Sequence, residues 1–292
     1  MAALAAVFAS LACRPSALRN DSSARIPLRR SELLAAARRV ESRSKESGFV
    51  DGIAEVFAPD AVFAGAGPSA QRGPDGARAW LAKDSANARS SARWRTLLHD
   101  VSDDGRDGYT FGYLDVFRAN GDSVLATYHA YWRRGDSGAW QILAMVRSPR
   151  PAVAMSSSVE PIVRRRSSGT TVDSVAVLRE LFRTEIAFSD SAVVHMAAAF
   201  TAFAAPDAAK ASDSGYVFGP SEISKQFGPP PPGFNGIEWK PDRGTVSRSG
   251  DLGFTNGPIW RRGTSGELIP TTRRYFTIWR RQADGSWKYV VD

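Results

Sequence analysis

The segment from Trp132 to Trp140, with Arg133, Arg134 and Gly138 between its tryptophans, recurs near the C-terminus from Trp279 to Trp287, with Arg280, Arg281 and Gly285 in the corresponding places. Each copy reads as strand, polar glycine-containing turn, strand. The repeat is long. Trp94, Val101, Ser102, Gly108, Tyr109 and Thr110 match Trp239, Val246, Ser247, Gly253, Phe254 and Thr255 at a constant spacing of 145 residues. Upstream, the Ala-Pro-Asp-Ala step at Ala58 returns at Ala205, 147 residues on, and Gly73-Pro74 returns as Gly219-Pro220 at 146. A period of this length far exceeds the roughly 20–50 residues of a solenoid unit. It divides the chain into two domains of ordinary size.

The charge distribution separates these domains from their connectors. Residues 31–146 hold 14 Lys+Arg against 15 Asp+Glu, and residues 171–292 hold 14 against 13. The net charge of +8 therefore resides in residues 1–30 and 147–170, which carry ten arginines against Asp21 and Glu160. Nucleic-acid binding calls for basic residues focused on one folded face with aromatic groups to stack on bases. Neither domain gathers its charge that way, so no nucleic-acid partner is expected. The division is residues 1–30 as leader and tether, 31–148 as first domain, 149–170 as a basic Ser/Arg/Pro linker, and 171–292 as second domain.

Met1 to Ala12 is an uncharged apolar run that ends at Cys13, the single cysteine. It is too short to span a bilayer and matches the core of a signal peptide, with small residues at a cleavage position. Ser10-Leu11-Ala12-Cys13 resembles a bacterial lipoprotein cleavage box, with Cys13 as the lipidated residue. The expectation is export, periplasmic or lipid-anchored, with membrane contact only through that anchor; the alternative is an unprocessed cytoplasmic N-terminal tail.

Within the second repeat, Val175, Leu178, Leu181, Phe182 and Phe188 lie near helical spacing behind Asp173, a candidate N-cap. A second helix is expected over 192–204 and a short third one from Pro220, followed by strands alone. The first repeat runs parallel, with helices over 31–44, 49–57 and 74–83 before its strands. Helices segregated ahead of a curved antiparallel sheet define an α+β fold.

The order ααβαββββ, the Ala-Pro-Asp-Ala step, the Gly-Pro helix start and the closing YFTIWRRQADGSWKYVVD resemble the nuclear transport factor 2-like cone fold. The likeness is greatest to its SnoaL-like, ketosteroid isomerase-like bacterial branch, and the two copies cover about 240 residues. This resemblance implies two fused cone-shaped domains. It also implies a conical pocket between each sheet and its helices. In steroid isomerase-like members a carboxylate base lies five residues after the position held here by Asp60 or Asp207. Those positions are Gly65 and Ser212, with Asp213 one residue off. The second acidic position falls near Ala130 and Thr277, so that isomerase chemistry is not expected.

Other proton carriers remain. A helix alignment at a spacing of 144 pairs Glu41 with Glu185, and a desolvated carboxylate is suited to acid–base work. Tyr128 and Trp132 share one strand face, as do Tyr275, Thr277 and Trp279, with Trp94 and Trp239 as further candidates for lining an apolar ligand pocket. No phosphate loop, dinucleotide motif or His/Cys/Asp/Glu grouping at ligand spacing is present in the sequence, so neither cofactor nor metal is expected. The leading expectation is a noncatalytic small-molecule-binding or scaffold protein with an apolar pocket in at least the second cone. Its alternatives are a SnoaL-like lyase, cyclase or isomerase acting on a small hydrophobic substrate, and a dimerisation module whose sheets pair within one chain or between two.

Overall fold

The computed structural model describes residues 22–63, 72–152, 171–212, 215–229, 232–233 and 235–292. Cys13, Gly65 and Asp213 lie outside the described residues. In the first half, α1 (Ser22–Ser47), α2 (Phe49–Ala54), β1 (Phe57–Phe63) and α3 (Gly73–Leu81) precede β2 (Ser91–Val101), β3 (Asp107–Phe117), β4 (Ser123–Val124), β5 (Ala126–Arg134) and β6 (Trp140–Pro149). In the second, α4 (Ser174–Phe203), β7 (Ala204–Ser212), β8 (Gly215–Phe218) and α5 (Pro220–Ser224) precede β9 (Ile237–Trp239), β10 (Arg243–Val246), β11 (Leu252–Arg262), β12 (Leu268–Arg281) and β13 (Trp287–Val291).

The fold is α+β, with two cone-like halves, and each half wraps its helices over one sheet. Strand order is β1-β6-β5-β3-β2 in the first sheet and β10-β11-β12-β13-β7-β8 in the second. The sheets are mixed, which corrects the expectation of purely antiparallel ones. β1 pairs parallel with β6, and β7 parallel with β13, so the first strand of each half lies beside its last.

Two further differences concern helices. α1 begins at Ser22, inside the stretch read as a tether, because its arginines find partners. Arg25 donates to the Asp104 carbonyl at 2.6 Å, and Arg29 pairs with Glu32 at 2.7 Å. In the second half, the two expected helices are present as the two segments of α4, but the break between them falls at His195, whose φ of −155° and ψ of 94° are not helical, rather than before residue 192. Asp173 caps α4 as expected, accepting from the Val175 and Ala176 amides.

Curvature is set at matched glycines. A Cβ on Gly112 would sit 2.0 Å from the Arg95 carbonyl oxygen, and one on Gly257, its counterpart, 1.8 Å from that of Lys240. Neither strand tolerates a side chain where its neighbour bends across it. Each cone interior is lined by one face of its sheet: Thr110, Tyr128, Ala130 and Trp132 in the first, Thr255, Thr277 and Trp279 in the second, all fully buried. Alternation along the strands then sends Tyr109, Phe111, His129 and Tyr131 to the opposite face, and those residues are buried too.

What buries them is the other half. The His129 imidazole lies flat on the Phe276 ring, 5.1 Å between centroids, and its Nε2–H donates to the Phe276 carbonyl at 2.8 Å. Tyr131 packs on Phe254 at 5.1 Å, and Tyr216 on Phe111 at 5.0 Å. The contacts come in matched pairs. Arg280 reaches Asp100 across the interface at 2.8 Å, and its repeat counterpart Arg133 reaches Thr245, the counterpart of Asp100, at 3.2 Å. His129 and Phe276 are themselves counterparts, so they mark where an approximate internal two-fold axis passes.

Candidate functional site

The second cone holds a carboxyl group where an all-apolar core is expected. Glu185 projects from the sheet-facing side of α4 and is fully buried. Its Oε1 accepts from the Trp239 indole N–H at 2.5 Å, and its Oε2 accepts from the Trp279 indole at 3.0 Å and from the Thr255 hydroxyl. Trp279 also donates to Thr255 Oγ1 at 2.9 Å. All three donors are neutral, and none of the ion pairs found among the described residues includes Glu185. Burial pushes its carboxyl up to about 7, against the opposing pull of Thr255 and Trp239. Near neutral pH this side chain therefore exchanges a proton.

Two more polar groups share that interior. Among the described residues the buried Tyr275 hydroxyl makes no hydrogen bond, and burial followed by the charge of Glu185 raises its phenol well above the ordinary value. Thr277 donates to Asp292 Oδ1 at 2.7 Å, and burial raises the Asp292 carboxyl. The position near Thr277, which carries no acid of its own, thus has one beside it. Around these groups Phe188 packs on Trp239 at 5.1 Å, on Trp279 at 6.0 Å and on Phe200 at 4.8 Å. Phe200 in turn meets Phe227 at 4.5 Å.

Phe227 lines a cleft of about 800 Å³ at the bend of α4, together with Ala192, Val193, Met196, Pro229 and Gly236. The bend is what opens it. His195 leaves the helical conformation, and its Nδ1 accepts from the Ala198 amide at 3.2 Å, so it caps the second segment as an N-cap residue does. From this cleft the aromatic series Phe227, Phe200, Phe188, Trp239 leads inward to Glu185.

The first cone repeats the frame without the acid. Trp132 donates to Thr110 at 2.9 Å, as Trp279 does to Thr255, and the Tyr128 hydroxyl meets Thr96 at 2.9 Å. Trp94 packs at a tilt against Tyr128 with centroids 4.2 Å apart. Glu41 does not enter this interior. It accepts from Lys45 at 2.7 Å and from the Trp94 backbone N–H at 3.1 Å, with 29% of its side chain exposed. Burial pushes its carboxyl up, but Lys45 and the Trp94 amide outweigh it and hold it below the ordinary carboxylate value.

The pairing of Glu41 with Glu185 is therefore corrected. Contacts superimpose the helices at a spacing of 148: Glu32 and Glu180 pair with Arg134 and Arg281, Leu33 and Leu181 press on Gly108 and Gly253, and Glu41 and Ser189 accept from the Trp94 and Trp239 amides. In that register Ala37 stands in the place of Glu185. The predicted lining residues Trp94, Tyr128 and Trp132 come together in the first cone, and Trp239, Tyr275, Thr277 and Trp279 in the second. Sequence reasoning missed Thr255 and Asp292, although Thr255 belonged to a matched pair with Thr110.

No family model matches the chain, and no curated protein matches it. Among solved structures, an NTF2-like protein with a cystatin-like fold from Novosphingobium aromaticivorans is 17% identical over 45% of this chain and 90% of its own, with a TM-score of 0.35. A protein with a cystatin-like fold from Nostoc punctiforme is 18% identical over 42% and 91%, at a TM-score of 0.32. Aln2 from a Streptomyces species is 20% identical over 41% and 89%, also at 0.32. At such scores nothing about this chain is concluded from them.

Proposed function

We propose that the second cone is a receptor for a small, largely apolar molecule, and that the first cone is its built-in structural partner. The observation that carries this reading is the 800 Å³ cleft at the bend of α4, whose apolar wall continues through Phe227 and Phe200 into the cone. Ligand sites of this kind combine an apolar lining with few polar groups; His195, Gln226 and Asn235 supply those in the cleft wall, and Glu185 lies deeper, behind the aromatic series. The likeness of the sequence to the cone-fold families is in keeping with this. Export, with Cys13 as an attachment point, belongs to the same proposal.

The test is fluorescence titration of the full chain with 1-anilinonaphthalene-8-sulfonate, in parallel with Met196→Arg, which places a charge in the cleft wall. Saturable binding that the variant loses is expected. No saturable signal, or equal binding by a well-folded variant, would sink the reading. A native mass spectrum of protein purified without added ligand would then identify any retained molecule.

A second reading is acid–base catalysis on such a molecule with Glu185 as proton carrier. It rests on a carboxyl that three neutral donors hold in a dry interior and that titrates at about 7. The carboxylic C=O stretch of Glu185, followed by infrared difference spectroscopy, should disappear between pH 6 and 8 and be missing from Glu185→Gln. A band that has already vanished by pH 5 would remove the basis for this reading.

A further inference from the structure

The internal two-fold axis generates two equivalent grooves along the edge of the interface between the halves; one is neutralised by its own acids and the other carries a surplus of arginines. In one groove Arg280 is enclosed by Asp100 at 2.8 Å and Asp207 at 3.3 Å, and it also donates to the Tyr109 hydroxyl. Arg30 approaches Asp100 from α1 at 3.6 Å, and the Asp103 amide donates to Asp251 at 3.2 Å. That groove is filled by its own ion cluster.

In the other groove, at the spacing of 145 residues, Thr245 replaces Asp100, Arg248 replaces Asp103 and Arg106 replaces Asp251. Three acids have become one neutral residue and two arginines. The result is an open cleft of about 460 Å³, walled by Arg106, Arg133, Arg134 and Arg248 from both halves, with Thr245 and Ser174 beside them. Arg133 is satisfied internally, because Asp107 takes both of its ends at 2.8 and 3.0 Å. The other three are held less fully. Among the described residues, Arg106 has only the exposed Asp136, 3.9 Å away; Arg134 forms an ion pair with Glu32 at 3.4 Å while its Nε makes no hydrogen bond; and Arg248 is exposed, with no hydrogen bond or ion pair of its side chain. Asp173 is committed to capping α4.

We infer that this cleft binds a soluble phosphate ester or pyrophosphate group, held between the Arg106 and Arg248 guanidinium groups with Arg134 behind them. Guanidinium forks from two sides match the tetrahedral oxygens and double charge of phosphate, which relieve the repulsion of the clustered arginines. The mate groove shows what the same geometry does when the chain supplies its own anions.

The experiment is calorimetric titration of the full chain with inorganic pyrophosphate at low ionic strength, compared with Arg106→Gln/Arg248→Gln and with Thr245→Asp. The single aspartate reproduces in this groove the acid that Asp100 supplies in the other, and so fills the cleft from within. The wild type should bind one pyrophosphate saturably, more weakly as sodium chloride is added. Both variants should bind at least about tenfold more weakly while keeping wild-type circular dichroism and melting temperature. Absence of saturable binding by the wild type overturns the inference, and so does undiminished binding by the double variant. If the double variant fails to fold, Thr245→Asp decides alone, and undiminished binding by it overturns the inference.

Discussion

Trp132 and Trp279 hold equivalent places in the two cones, and each donates its indole N–H to a threonine, Thr110 or Thr255, yet only in the second does a carboxyl group join the pair. The first cone fills the same space with Ala37 and the tilted contact of Trp94 with Tyr128. Its interior is a packing solution. The second keeps an acid where desolvation penalises charge, and beside it a tyrosine hydroxyl that makes no hydrogen bond among the described residues. The interface repeats this lesson. One groove is neutralised by its own aspartates and the other is left cationic. In both comparisons the repeated frame is structural, and the chemistry appears where one copy departs from it.

The largest effect should come from breaking the filled groove. Arg280→Met removes the guanidinium held between the buried Asp100 and Asp207, leaving Asp100 with Arg30 at 3.6 Å, and should cost about 3–5 kcal/mol in urea unfolding. Arg133→Met, in the more open groove, should cost less, about 1–3 kcal/mol. Equal losses would show that the two grooves do not differ as described.

Next are two buried groups with opposite pH signatures. Glu185 is raised from 4.5 to about 7 in the folded protein, so the folded state binds the extra proton between those values. Its contribution is fully present below pH 4.5 and is lost as pH rises through 7, a change of about 3 kcal/mol. His129 is lowered from 6.5 to about 4 by burial, so its contribution is present above pH 6.5 and is lost as pH falls to 4, by a similar amount of about 3 kcal/mol. Glu185→Gln should flatten the first slope and His129→Gln the second, each measured as the stability difference from wild type across pH 4–8. An Ala37→Glu variant of the first cone sharpens the comparison, since it should acquire a slope of the same sign as Glu185. The smallest effect is that of Glu41→Gln, a partly exposed residue paired with Lys45, which should change stability by about 0.5 kcal/mol or less. A larger loss would place Glu41 in the core and restore its equivalence to Glu185.

Several features were legible in the residues themselves. The paired tryptophans and threonines, the Asp173 cap and the alternation of Tyr128 with Trp132 all follow from periodicity, which depends only on local backbone geometry. The helix register did not. A shift of four residues is close to one helical turn and leaves the apolar face almost unchanged, so spacings of 144 and 148 look alike in sequence and only contacts with the sheet separate them. The error was confined to the helices, yet it placed Glu41 and Glu185 together and hid the difference between the cones.

The sequence by itself determined that the chain is two related α+β units, which strand faces are apolar and where the helices end, because hydrophobic patterning and turn chemistry act over a few residues. Only the tertiary structure decided that Glu185 is dry, that the Tyr275 hydroxyl makes no hydrogen bond among the described residues, that Arg280 meets Asp100 and Asp207, and that Arg106 and Arg248 face one cleft. Those facts depend on which surfaces meet across more than a hundred residues of chain, and burial and ion pairing are properties of that meeting rather than of any residue within it.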